Sequence, residues 1–96
     1  MSAYVIVDVE VTDPEGFEKY RQMAPLSIEL YGGKYIARGG DTEVFEGNWQ
    51  PERIVILEFE SLQQAADWHR SEEYREAKTL RNKTANSNMI AVAGVS

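Results

Sequence analysis

Two Gly-Gly pairs, Gly32-Gly33 and Gly39-Gly40, bracket the run Lys34-Tyr35-Ile36-Ala37-Arg38. Glycine alone enters positive φ without a Cβ penalty, so this stretch demands two sharp changes of backbone direction with a short, strand-like element between them. A helical pattern runs into it and strand patterns leave it. Gly32 therefore reads as the C′ residue of a helix, and Gly39-Gly40 as a bulge or bend within an extended segment. Both pairs are architectural, which leaves Arg38, held beside the bend, as the residue of the stretch with chemistry to offer.

Before the bracket, Val5, Val7, Val9 and Val11 alternate with Tyr4, Ile6, Asp8 and Glu10, the period of a strand over residues 4–11. Asp13 then reads as an N-cap with Pro14 at N1, where a missing N–H costs nothing; a capping box from Thr12 to Glu15 is the alternative register. Phe17, Tyr20, Ala24, Ile28 and Tyr31 recur at helical spacing, widened by Met23, Ser27 and Leu30. Pro25 inside this helix removes one backbone hydrogen bond, at a cost of about 3 kcal/mol or more, and predicts a bend.

After the bracket, the strand of residues 34–38 resumes through Glu43-Val44-Phe45-Glu46, and Gly47-Asn48-Trp49-Gln50-Pro51 is turn chemistry. Residues 53–59 form the most continuously apolar strand, which places it inside a sheet. Ser61-Leu62-Gln63-Gln64 is a capping box opening a helix with Leu62, Ala65, Ala66 and Trp68 or His69 toward the core. Ser71 caps a further segment over 72–83, in which acids lead and bases trail, as the helix dipole favours. Asn86-Ser87-Asn88 ends it, and residues 89–95 make the last strand.

The order β-α-β-β-α-β, with an extra short helix, is the ferredoxin-like plan: an α+β architecture with an antiparallel four-stranded sheet and its helices on one face. A chain of 96 residues fits one such domain, 1–96. Helices cover only one side of the sheet, yet the last strand offers Met89, Ala91, Ala93 and Val95 on one side and Ile90 and Val92 on the other, the third strand is apolar on both, and the first adds Tyr4 and Ile6 opposite its valines. A bare face of that kind is atypical of a monomer, so a homodimer packed through the sheet face is expected.

A net charge of −6 sets polyanions aside, so neither nucleic acid nor an anionic membrane is an expected partner. An RNA-reading version of the plan would need aromatic residues on its central strands, where Val7, Val9, Ile54 and Ile56 stand. An acylphosphatase-like one would need an anion cradle where Thr12-Asp13-Pro14-Glu15 puts acids. The absence of cysteine removes disulfides, thiolate metal sites and thiol nucleophiles together. The opening residues lack the basic stretch of a signal peptide, and Asp8 and Glu10 interrupt the apolar run short of a membrane span, so a cytoplasmic protein is expected.

Tyr4-Val5-Ile6-Val7, Val11-Thr12-Asp13-Pro14-Glu15, Tyr31-Gly32-Gly33, Arg38-Gly39-Gly40, Glu46-Gly47-Asn48-Trp49, Pro51-Glu52-Arg53, Leu57-Glu58-Phe59 and Trp68-His69-Arg70-Ser71-Glu72-Glu73-Tyr74 occur in the order and spacing of one family. Over nearly its whole length the chain resembles domain-of-unknown-function family 1330, a family of small bacterial proteins. The resemblance implies the dimeric α+β barrel superfamily, in which two ferredoxin-like sheets meet face to face. Relatives there include cofactor-free oxygenases, isomerases and haem enzymes, each with a cavity between helices and sheet. The family has no established activity, so the resemblance implies a small-ligand cavity and no particular chemistry.

Arg38 could take a carboxylate in bidentate fashion across such a cavity; its ordinary alternative is an ion pair with Glu46, Glu58 or Asp8. Asp8, beside Tyr4 and Ile6, is a candidate general base through a raised pKa, against a solvated strand-end charge. His69, the only histidine, is the other candidate for moving a proton. Asp67 stands two positions away and faces elsewhere on a helix, so no metal site is expected. Trp49 either closes a pocket or packs at the dimer interface. Tyr20, Ser27 and Tyr31 lie along the buried stripe, where a hydroxyl faces a cavity or bonds to backbone.

The expectation is a homodimer that binds an uncharged or anionic small organic molecule between helices and sheet, in a cavity of roughly a few hundred Å³ with Arg38 or Asp8 on its wall. Arg38 orients the ligand, Tyr20, Trp49 and Ser27 complete the binding site, and Asp8 or His69 is catalytic if a cofactor-independent reaction of the oxygenase or isomerase kind takes place. No cofactor is expected. The alternative is a non-catalytic ligand-binding or assembly module whose polar residues all serve folding and dimerisation.

Overall fold

The computed structural model describes residues 2–95. Its elements follow in the order β1 (Ala3–Val11), α1 (Pro14–Leu30), β2 (Lys34–Arg38), β3 (Ile54–Phe59), α2 (Leu62–His69), α3 (Glu72–Thr84) and β4 (Ala85–Ala93). The strands pair antiparallel in the order β2-β3-β1-β4. This is the ferredoxin-like βαββαβ plan, with the second helical stretch divided at Arg70 and Ser71. Among the described residues no helix is long and apolar enough to cross a membrane.

Register sorts the side chains into two faces. Val5 lies opposite Leu57 and Ala91, and Val7 opposite Val55 and Met89, so these residues share the face that carries the helices. Val5, Val7 and Val9 are buried there. Trp68, Tyr74 and Phe59 are the largest fully buried side chains, with Trp68 centred 4.2 Å from Tyr74 and 5.5 Å from Phe59. Burying a side chain of that size contributes about 3 kcal/mol relative to leaving it exposed.

Asp13 caps α1 by accepting from the Gly16 N–H at 3.2 Å, with Pro14 at N1, and the helix runs unbroken through Pro25. It stops in a Schellman turn: Gly33 N–H reaches the Ile28 carbonyl at 2.9 Å, and Gly32 N–H that of Glu29 at 3.0 Å. Gly32 takes φ +76° there, which is what its glycine is for.

Residues 43–46 are not a strand. The whole stretch 39–53 is an irregular connection, and Val44 and Phe45 stay exposed. Both edges of β3 are already occupied, by β2 and β1, so an extended 43–46 would have no inner partner. Asn86-Ser87-Asn88 likewise does not end the last helix: these residues lie inside β4, paired with Glu10, Val9 and Asp8 along the full length of β1. Ladder hydrogen bonds override the turn preference of asparagine here. The end of α3 is satisfied without a glycine, because the Thr84 carbonyl accepts from Thr12 and Asp13 N–H at 2.8 and 3.0 Å.

In α2, Leu62 is exposed and Trp68 rather than His69 fills the core. Ser61 caps the Gln64 N–H at 3.0 Å, but the Gln64 side chain does not close the box. It donates to the Tyr31 carbonyl at 2.7 Å, tying α2 to the end of α1.

Candidate functional site

Where the polar side chains fall is decided by a bulge in β2. Tyr35 lies opposite Leu57, Ala37 opposite Ile56 and Arg38 opposite Val55, so Ile36 is the extra residue. Leu57 and Val55 look toward the helices; Tyr35 and Arg38 therefore do so too. Asp8 lies opposite Ile54 and Asn88 on the open face. Asp8 and Arg38 are on opposite sides of the sheet and cannot pair. Glu58 is also on the open face, 3.4 Å from Lys34, and no ion pair among the described residues includes Arg38.

Instead Arg38 Nη2 donates to the Arg21 carbonyl on α1 at 3.1 Å, and the guanidinium lies 4.3 Å above the Tyr35 ring. Behind it a cavity enters between helices and sheet, walled by apolar groups such as Val7, Phe17, Leu57 and Met89 and by Tyr20, Tyr35, Arg21, Arg38, Arg53 and Arg81. Its free internal space is about 30 Å³, room for one water rather than the few hundred Å³ expected. Asp8 is not on this wall.

The arginines differ in what they hold. Arg21 pairs with Glu18 at 3.2 Å on the surface. Arg53 is half-buried against Gly39, and its Nε has no hydrogen-bond partner. Desolvation, followed by the positive charges of Arg21 and Arg38, lowers its pKa. Arg81 is buried on α3; it donates to the Tyr74 hydroxyl and, at 3.4 Å, to the Asn82 side chain, and its Nε is also unpartnered. Tyr74 in turn shares a 2.9 Å hydrogen bond with Tyr20, which carries the chain from α3 to the cavity wall. Burial, with a smaller contribution from Tyr20, pushes the Tyr74 phenol well above its ordinary range, and burial likewise raises Tyr35.

The remaining candidates lie elsewhere. Trp49 Nε1 donates to Asp8 Oδ2 at 2.8 Å, holding the 39–53 connection over the open face above a cleft of about 500 Å³. His69 is half-buried beside Trp68 and Tyr74 and lines a different cleft, of about 240 Å³, between α2 and β4. Ser27 is buried with its hydroxyl engaged: it donates to the Ala24 carbonyl at 2.8 Å and accepts from Trp68 Nε1 at 3.1 Å. Tyr31 donates to Glu73 at 2.9 Å. Of the residues singled out by sequence, Arg38 and Tyr20 come together, and Asp8, Trp49, His69 and Ser27 do not join them.

Arg53, Arg81 and Tyr74 escape the sequence reading. Arg81 was legible in principle: Tyr74, Ala77, Arg81 and Thr84 recur at helical spacing and are the buried residues of α3. Among the described residues no group of three or more His, Asp or Glu is placed to hold a metal ion.

Residues 2–95 match the domain of unknown function DUF1330. The chain belongs to the DUF1330 family. It matches no curated protein. Among solved structures, this DUF1330 chain is similar to a protein of unknown function from Rhodopseudomonas palustris, with TM-score 0.78 and 19% identity over 99% of this chain and 83% of that one. It is similar to SnoaB, a cofactor-independent oxygenase from Streptomyces nogalater, with TM-score 0.70 and 10% identity over 99% and 94%. A dimeric ferredoxin-like protein of unknown function from Thermobifida fusca follows at TM-score 0.68 and 15% identity, over 98% and 92%. At these identities the likeness is one of fold.

Proposed function

We propose that this DUF1330 protein is a homodimer, packed through the open sheet face, that binds a small organic molecule between helices and sheet. The observation that carries the ligand reading is the meeting of Arg38 and Tyr20 on the wall of one internal space, otherwise largely apolar. The small free volume means that a ligand enters by displacing side chains, and exposed Arg38, tied to α1 by one hydrogen bond, is the group that swings aside. Support for the dimer comes from the uncovered face, where Ile90 is 63% and Trp49 61% exposed. Light scattering is expected to give twice the 10.9 kDa chain mass, and a monomer at micromolar concentration would end that part of the reading.

A thermal-shift screen of metabolites against the wild type and Arg38→Ala tests the ligand site. Hits are expected to raise the wild-type midpoint and to lose most of that rise in the variant; equal rises in both would remove Arg38 from the site. A second reading, a cofactor-independent enzyme, draws on the description of the Streptomyces neighbour and on the hydrogen-bonded run from Arg81 through Tyr74 to Tyr20, which puts a proton-exchanging hydroxyl at the cavity wall. Tyr20→Phe should then abolish turnover of a bound molecule while leaving its binding in place.

A further inference from the structure

The chain carries 16 acidic and 10 basic residues, yet the cavity wall holds four of the bases and none of the acids. So uneven a distribution in an acidic protein concentrates positive charge in one place. Two of the four guanidinium groups also have donors to spare. Arg81 is only 6% exposed, its partners Tyr74 and Asn82 are neutral, and its Nε is buried without an acceptor. The Nε of Arg53 is buried and unpaired as well, and neither residue belongs to an ion pair among the described residues. A buried guanidinium without a counter-charge is destabilising, and an anion that reached it would remove the deficit.

The rest of the wall limits what that anion is. Val7, Phe17, Leu57 and Met89 are apolar and the Tyr20 and Tyr35 rings stand beside them, so a fully hydrated inorganic ion would leave most of the surface unmatched. Building on the ligand reading above, we infer that the cavity takes a small organic monocarboxylate with an apolar, ring-sized body, its carboxylate satisfied by the spare donors of Arg53 and Arg81. Guanidinium is suited to this task because its planar fork matches the two carboxylate oxygens.

Benzoate and 2-naphthoate, each paired with its neutral amide, and inorganic phosphate are the probes. Binding to the full chain is followed by thermal shift and titration calorimetry, with Arg53→Met, Arg81→Met and, as a control, Arg75→Met, which removes the same charge from exposed α3 surface. The acids are expected to bind about tenfold or more tightly than the amides, the ratio one charge-assisted hydrogen bond supplies. Arg53→Met and Arg81→Met should lose that preference and Arg75→Met keep it. Unliganded Arg81→Met should melt no lower than the wild type, which separates a binding role from a structural one. Amides binding as well as acids overturn the anion assignment and leave the small-molecule site standing. Phosphate binding as well as the acids overturns the organic class, and an acid preference intact in Arg53→Met or Arg81→Met overturns the site. If none of the probes binds, this inference falls, and the ligand reading beneath it is decided by the metabolite screen.

Discussion

Pro25 leaves the Arg21 carbonyl without its intrahelical donor, and Arg38 supplies one from β2 at 3.1 Å. A proline inside a helix ordinarily frees a carbonyl to water and bends the axis; here the freed acceptor fastens α1 to the edge strand. Arg38→Ala is expected to cost about 1 kcal/mol in urea unfolding, and most of that cost should vanish in a Pro25→Ala background, where residue 25 has its own N–H. Equal costs in the two backgrounds would show the coupling to be empty.

The Tyr74 hydroxyl stands between Arg81 and Tyr20, so it has a role separate from that of the buried ring. Tyr74→Phe strips the buried Arg81 of its main acceptor and should destabilise by about 1–3 kcal/mol. Adding Arg81→Met to that variant should restore much of the loss, because both members of the buried polar pair are then gone. A further drop in the double variant, measured by denaturant titration, would contradict this.

Gly39 and Gly40 are adjacent and should respond differently. A Cβ at Gly39 would strike the Arg53 guanidinium, and the residue takes φ +72°, so Gly39→Ala should cost at least about 1 kcal/mol. Gly40→Ala meets nothing within 4 Å and should be close to neutral. Similar melting temperatures for the two variants would remove the packing argument.

His69 makes stability depend on pH. Burial, then the positive charges of Lys78, Arg81 and Arg70, hold its pKa below the ordinary 6.5. The unfolded chain therefore takes up the proton more readily than the folded one, so this contribution is present above pH 6.5, declines as pH falls through that value, and levels off below the folded pKa. Glu58 acts in a separate window: its hydrogen bonds to Ser2 and Lys34 lower it from 4.5, so its share is lost only in stronger acid. Melting curves between about pH 7.5 and 5.5 should slope in the wild type and flatten in His69→Gln.

Trp49 and Asp8 make a surface latch. Asp8→Ala should speed protease cleavage within residues 39–53 while changing global stability by no more than about 1 kcal/mol, since the bond is solvent-exposed. Unchanged cleavage would mean that the connection is held in other ways.

How far the chain can be read without its structure depends on the range of the interactions involved. The valine alternation of β1, the Asp13-Pro14 cap and the Gly32 stop are local signals, and each specifies its element. Segment 43–46 has the composition of a strand, but both edges of β3 are taken by β2 and β1, a condition that exists only in the assembled sheet. Asn86-Ser87-Asn88 has turn chemistry but lies opposite residues 8–10, and pairing prevails. At the site, Arg38 and Tyr20 are marked by their setting in the sequence, whereas Arg81 sits among the surface charges of α3 and only its helical spacing from Tyr74 and Ala77 sets it apart.

The extra residue at Ile36 has a consequence for parity. In a strand, odd and even positions face opposite ways, so an extra residue that stayed in the ladder would exchange the faces of all that follow; Ile36, left outside the ladder, prevents that exchange. Were Ile36 paired in the ladder instead, Ala37 would face the helices while Arg38 turned to the open side, taking its charge from the cavity and giving it to the uncovered face of the sheet. The bulge, more than the identity of the side chain, decides which of the two faces owns that arginine, and the same residues in a regular ladder would need the basic one a step along.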